Sequence, residues 1–146
     1  MQDSTLKNLL QDSKVIAIVG LSPNPDKPSF KVAQFLQSKG YKILPIYPKG
    51  GEILGEIAHQ TLQAAFESQS KAGVKIDILN IFRKSEALPQ IAEEILQLKN
   101  PPKCVWVQLG LTSAQAKQTI RKANIMYVED LCIKLEYERL LNDSTL

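Results

Sequence analysis

Val15-Ile16-Ala17-Ile18-Val19-Gly20 decides the fold. Apolar, mostly β-branched residues follow one another without polar alternation, so the stretch reads as a strand buried on both faces and closed by Gly20. Toward the N-terminus, Ser4 to about Gln11 reads as a helix covering one edge. On the other side, Ser29 to Lys39 sets Val32, Ala33, Phe35 and Leu36 at helical spacing, and Gly40 stands where a helix C-cap glycine belongs. Lys42 to Tyr47 is a second strand, and Pro45 weakens it or places it near an edge. Thr61 to Ser68 reads as a short helix and Ile76 to Phe82 as a third strand. A helix opens at Ser85 and reaches about Lys99, where Asn100-Pro101-Pro102 stops it. Lys103 to Leu109 is the fourth strand, closed by Gly110, and Thr112 or Ser113 caps a helix to about Ala123. Ile125 to Val128 is a short fifth strand, and Leu131 to Leu141 the last helix. Strands alternating with helices require crossover connections and a parallel sheet. The expected fold is therefore one Rossmann-like α/β domain over residues 1–146, its core at about 14–140. A five-stranded, mainly parallel sheet would carry helices on both faces.

Composition agrees with that class. The chain has 146 residues, 44% apolar and 23% charged, which suits one globular domain with a core that needs no metal or disulfide. Its 18 basic and 15 acidic residues leave a formal charge of +3 without a basic block, which argues against a nucleic-acid partner. Cys104 and Cys132 form no CxxC pair, and His59 is the sole histidine, so neither a metal site nor a Ser-His-Asp hydrolase is expected. No targeting segment or apolar run of membrane-spanning length is visible, so the expected location is the cytoplasm, with both thiols reduced.

In a doubly wound sheet, ligands bind beyond the carboxyl ends of the strands near the point where strand order reverses. After the first strand, Gly20 leads through Leu21, Ser22 and Pro23 to Lys27, Pro28 and Ser29 at a helix start. A close backbone and a helix N-terminus suit a diphosphate, although Ser22 stands at the second glycine of G-x-G-x-x-G. A proline-stiffened connecting loop accounts for the same residues. After the second strand, Tyr47-Pro48-Lys49-Gly50-Gly51 lacks the carboxylate that an NAD site places there. Lys49 would instead attract a phosphorylated ribose, which leaves NADP and coenzyme A open, beside the plainer reading of a turn with a surface lysine. Phe82 and Arg83 end the third strand, and Gln108 and Gly110 the fourth; the aromatic and the Gln–Gly pair could floor a nucleotide pocket, while Phe82 could equally be core and Arg83 simply solvated. Asp130 and Cys132 follow the fifth strand, whereas Cys104 lies inside an apolar strand and reads as inert packing.

As an ordered set, these stretches resemble the bacterial and archaeal CoA-binding proteins of the YccU-like type. Those are stand-alone relatives of the CoA-binding domain of the succinyl-CoA synthetase α subunit. The resemblance rests on Val19-Gly20-Leu21-Ser22-Pro23 with Lys27-Pro28-Ser29, on Gly40 to Pro48, and on Glu52 to Glu56. It continues through Asp77-Ile78, Phe82 to Glu86, Val105 to Gly110, and Asp130-Leu131-Cys132 with Glu136. It implies that coenzyme A is the ligand. Gly20, Ser22, Lys27 and Ser29 would surround the pyrophosphate, and Pro48 and Lys49 would meet the adenosine and its 3′-phosphate. Phe82, Arg83, Gln108 and Gly110 would line the adenine and pantetheine path. The chain departs from the family pattern at Lys27, usually arginine, at Tyr47, usually asparagine, and at Ile133, usually small or proline.

The synthetase's phosphohistidine domain has no counterpart in the sequence, so the resemblance implies binding of CoA or an acyl-CoA without catalytic residues. An NADP-dependent reductase or an acyl-CoA-handling enzyme is the alternative. A thiol redox sensor, in which Cys132 forms a mixed disulfide with CoA, is another. A homodimer is compatible with the sequence, which does not require one.

Overall fold

The computed structural model describes residues 1–141. Its main sheet consists of β1 (Val15–Val19), β2 (Lys42–Ile46), β5 (Ile78–Ile81), β6 (Cys104–Val107) and β7 (Met126–Val128). The strands lie in the order β2-β1-β5-β6-β7, and every pairing is parallel. Helices α1 (Asp3–Asp12), α2 (Pro28–Ser38) and α6 (Ile133–Leu140) cover one face of the sheet. On the other lie α3 (Leu62–Lys71), α4 (Leu88–Leu96) and α5 (Ala114–Lys122). This is the expected Rossmann-like α/β domain.

Alternation within each strand builds the two layers. Val15, Ala17 and Val19 pack with Leu62, Phe66, Ile91 and Ile95 on the α3–α4 side. Ile16 and Ile18 pack with Leu9, Val32, Leu36 and Trp106 on the other. Strand β1 is paired on both edges, with β2 and β5, and helices pack on both sides of the sheet, so its faces are dry, as its unbroken apolar run requires. The start of β1 is pinned by Asp77, whose Oδ2 accepts the amides of Lys14 and Val15 at 2.8 and 3.0 Å.

Pro45 lies on an edge strand, and hydrogen-bond direction explains why it is tolerated. The Pro45 carbonyl points outward and accepts from His59 N at 3.0 Å, while the Ile46 carbonyl points inward and accepts from Gly20 N at 3.2 Å. In a parallel strand the N–H of a residue points to the same side as its carbonyl, so the donor that proline lacks would have faced away from β1. His59 also accepts from Tyr47 N at 2.8 Å, so its backbone extends the sheet edge beyond β2.

Several boundaries differ from the sequence reading. The helix expected from Ser85 begins with a 3₁₀ turn, Ser85–Ala87, before α4, and the last helix starts at Ile133, leaving Leu131 and Cys132 outside it. A small antiparallel hairpin, β3 (Glu52–Ile53) with β4 (Glu56–Ile57), was not expected. No helix among the described residues is long and apolar enough to cross a membrane.

Candidate functional site

Strand order reverses between β1 and β5: the chain passes from β1 outward to β2, then returns to the opposite side of β1. A cleft of about 340 Å³ opens at that point, over the carboxyl ends of β1 and β2. Val19, Gly20 and Ser22 line one part of it, and Ile46, Tyr47 and Pro48 another. Gln60, Thr61 and Leu62 at the start of α3 contribute a wall, with Arg83 after β5 and Ile91 and Glu94 on α4.

Gly20 sets the shape of the cleft. Its φ is +83°, and a Cβ there would stand 2.3 Å from the Phe82 carbonyl oxygen and 3.3 Å from the Arg83 side chain. Only glycine lets the chain turn out of β1 this close to the end of β5. Leu21 is fully buried in the α2–α6 layer and anchors the turn from below, so only its backbone faces the loop. The loop then closes on itself: Ser22 N donates to Ser29 Oγ at 3.0 Å, Asn24 N to Ser22 Oγ at 3.1 Å, and Asp26 N to Asn24 Oδ1 at 3.0 Å. Lys27 occupies the N-cap of α2 and Pro28 its first turn, and no side chain caps that helix. Arg83 is exposed with its side chain beside Gly20, and the first turn of α2 is tied to the same loop through the Ser22 N to Ser29 Oγ bond.

Of the residues proposed from sequence, the cleft brings together Gly20, Ser22, Tyr47, Pro48 and Arg83. Lys49 is exposed at the tip of a turn that Gly50 N closes onto the Tyr47 carbonyl at 2.9 Å, directly after the cleft residue Pro48. Pro23 and Lys27 are exposed along the first loop, and Ser29 is buried beneath it. Phe82, Gln108, Gly110 and Cys132 lie outside the cleft lining. Phe82 and Cys132 pack partly buried against the α2–α6 layer. Gln108 is 7% exposed, and its Oε1 accepts from Asn80 Nδ2 at 3.3 Å and from Ile133 N, at the start of α6, at 3.4 Å. Its carbonyl oxygen is thus engaged in holding α6 to the sheet. Gly110 N donates to Asp130 Oδ1 at 2.7 Å, which joins the loops after β6 and β7.

Sequence reasoning missed Gln60, Thr61, Leu62, Ile91 and Glu94. Thr61 carries a readable signal, because its hydroxyl accepts from Ala64 N at 3.1 Å as an N-cap does.

The two thiols differ in kind. Cys104 is fully buried, and removal from water pushes its thiol up to about 12. Cys132 is half-buried at the N-cap of α6. Iodoacetamide on the native protein is therefore expected to add a single label, at Cys132, with Cys104 reacting only after unfolding. Rapid double labelling by intact mass would contradict that assignment.

A parallel sheet with a glycine-led turn and a cleft at its switch point is the arrangement in which Rossmann-type domains hold their ligands. The family model described as a CoA binding domain matches residues 14–138, and the chain belongs to that family. It is 39% identical over 132 residues to the uncharacterized protein YneT of Bacillus subtilis, covering 90% of this chain and 91% of that one. Among solved structures it is similar to cell-free ID.343 from Thermus thermophilus, with 32% identity and a TM-score of 0.82 over 97% of this chain and 100% of that one. A hypothetical protein from Pyrococcus horikoshii OT3 gives 28% identity and a TM-score of 0.85 over 97% and 93% of the two chains.

Proposed function

We propose that this protein binds coenzyme A or an acyl-CoA in the cytoplasm and does no chemistry of its own on the ligand. The observation that carries the reading is the turn at Gly20, where a backbone without a side chain passes beside Arg83 at the mouth of the cleft. A diphosphate needs such close backbone approach and positive field. Exposed Lys49 directly follows cleft residue Pro48, and its ammonium would suit a phosphate on the ribose of a nucleotide seated in the cleft. Family membership directs the choice between the two phosphorylated cofactors toward CoA. The cytoplasmic placement is supported by the two unpaired cysteines. The cleft lining supports a binding role: Arg83 and Glu94 are its only charged side chains, and His59 lends its backbone to the sheet edge.

Calorimetry with CoA, dephospho-CoA and NADP tests the assignment. CoA is expected to bind more tightly than dephospho-CoA, and Lys49→Ala to narrow that gap by roughly three- to tenfold, an effect that shrinks in high salt. Equal affinity of the wild type for CoA and dephospho-CoA would remove the role given to Lys49. Silence toward CoA would remove the function.

A further inference from the structure

The cleft contains one acidic side chain, Glu94, and for a polyanionic ligand that needs a reason. Among the described residues Glu94 makes no salt bridge, and its one side-chain hydrogen bond comes from Gln90 Nε2 to Oε2 at 3.5 Å. A carboxylate accepts hydrogen bonds and donates none, and it repels phosphate. It belongs where the ligand is uncharged and presents an N–H or O–H.

The placement of α4 separates the two ends of the cleft. Arg83 precedes the helix at the strand ends, whereas Glu94 lies six residues beyond Leu88, about 9 Å further along the helix axis. Ile91, one turn earlier on the same face, joins Val19, Ile46 and Leu62 in an apolar wall. A flat, apolar ring with polar edges fits between such walls. The cleft volume of about 340 Å³ lies at the lower end of the roughly 300–1,000 Å³ usual for small-molecule sites, so it takes the nucleotide end of a long ligand.

Resting on the proposed binding of CoA, we infer that Glu94 is the residue that selects the base, accepting a hydrogen bond from the exocyclic 6-amino group of adenine. A 6-oxo purine presents an acceptor at that position and would face the carboxylate with like polarity. Selection is thereby placed on one side chain of α4, away from the strand-end loops, and acts against a hypoxanthine base that turns its 6-oxo group toward that carboxylate.

The test compares CoA with its hypoxanthine analogue, deamino-CoA, by calorimetry on the wild type and on Glu94→Gln. The wild type is expected to prefer CoA by roughly tenfold or more, as for a hydrogen bond to a charged acceptor. In Glu94→Gln the preference is expected to fall to about two- to threefold or less, because a carboxamide can turn to offer either an acceptor or a donor. Part of that change should be a gain in deamino-CoA affinity, which a merely structural role for Glu94 would not produce. An unchanged preference, or an equal loss for both ligands, overturns the inference while leaving CoA binding in place. Failure of the wild type to bind either ligand overturns the binding function itself.

Discussion

Gly20→Ala is expected to destabilise the protein by about 3 kcal/mol and to abolish measurable CoA binding. Two costs combine at this position. A side chain at φ +83° lies in the left-handed region, at about 1–2 kcal/mol for a residue with a Cβ. The new methyl would also meet the Phe82 carbonyl oxygen at 2.3 Å, well inside contact distance, and the atom in its way is backbone. Relief requires moving β1 and β5 apart at their ends, although Phe82 N is bonded to the Val19 carbonyl at 2.9 Å. Forced overpacking of this kind costs about 1–3 kcal/mol. At roughly 2–4 °C per kcal/mol for a domain near this size, the melting temperature should fall by about 10 °C. Loss of binding follows because the displaced segment is the one that carries Gly20, Ser22 and Arg83 around the cleft. Circular dichroism melts and calorimetry on the variant would decide the matter; a native-like melt with intact CoA affinity would show that the turn relaxes freely and that its geometry does not define the site.

That turn was legible in the sequence because a continuous apolar run ending in glycine has few other readings. The same holds for β6, which is apolar throughout and buried on both faces, whereas β5 is equally buried but interrupted by Asn80, whose amide is satisfied by the Trp106 carbonyl and Gln108 Oε1. The hairpin of β3 and β4 was not legible. Each strand has two residues, and its turn places Leu54 at φ +54° before Gly55 at φ +80°. Asparagine or aspartate normally announces such a turn, and leucine does not. Leu54 is held there by a tertiary contact, its carbonyl accepting from Gln37 Nε2 on α2 at 2.9 Å, which local sequence cannot reveal.

The cleft was half legible for a related reason. Residues immediately after strands follow from the general placement of ligands on parallel sheets, and Gly20, Ser22, Tyr47, Pro48 and Arg83 were found that way. The opposite wall comes from α3 and α4, whose angle and depth are set by packing. Ile91 reads as core on any helical wheel, and it is 6% exposed; only the assembled layers show that it also faces the cleft. Gln108 illustrates the converse. It too follows a strand, but it lies outside the cleft lining, and its side-chain oxygen joins Asn80 to the start of α6.

The interior beneath that joint supplies the other large effect, at Trp106. This side chain is fully buried in the layer under α6, and its Nε1 donates to the Leu131 carbonyl at 2.9 Å. Its own carbonyl accepts from Asn80 Nδ2 at 3.1 Å, so strand, indole and the α6 approach are tied through adjacent atoms. Truncation in Trp106→Ala removes the largest fully buried side chain, at about 3–5 kcal/mol, from a domain whose whole stability is about 5–15 kcal/mol. The urea midpoint should drop accordingly with the slope retained. Trp106→Phe keeps most of the apolar volume but leaves the Leu131 carbonyl without its donor, at about 1–3 kcal/mol. That carbonyl lies between Asp130, held at φ +58°, and Cys132, the N-cap of α6. Loosening it should therefore expose the neighbouring thiol and speed alkylation of Cys132 in native Trp106→Phe, while Cys104 stays protected within β6. A phenylalanine variant matching the wild type in both midpoint and labelling rate would show that the indole hydrogen bond contributes nothing to the position of α6.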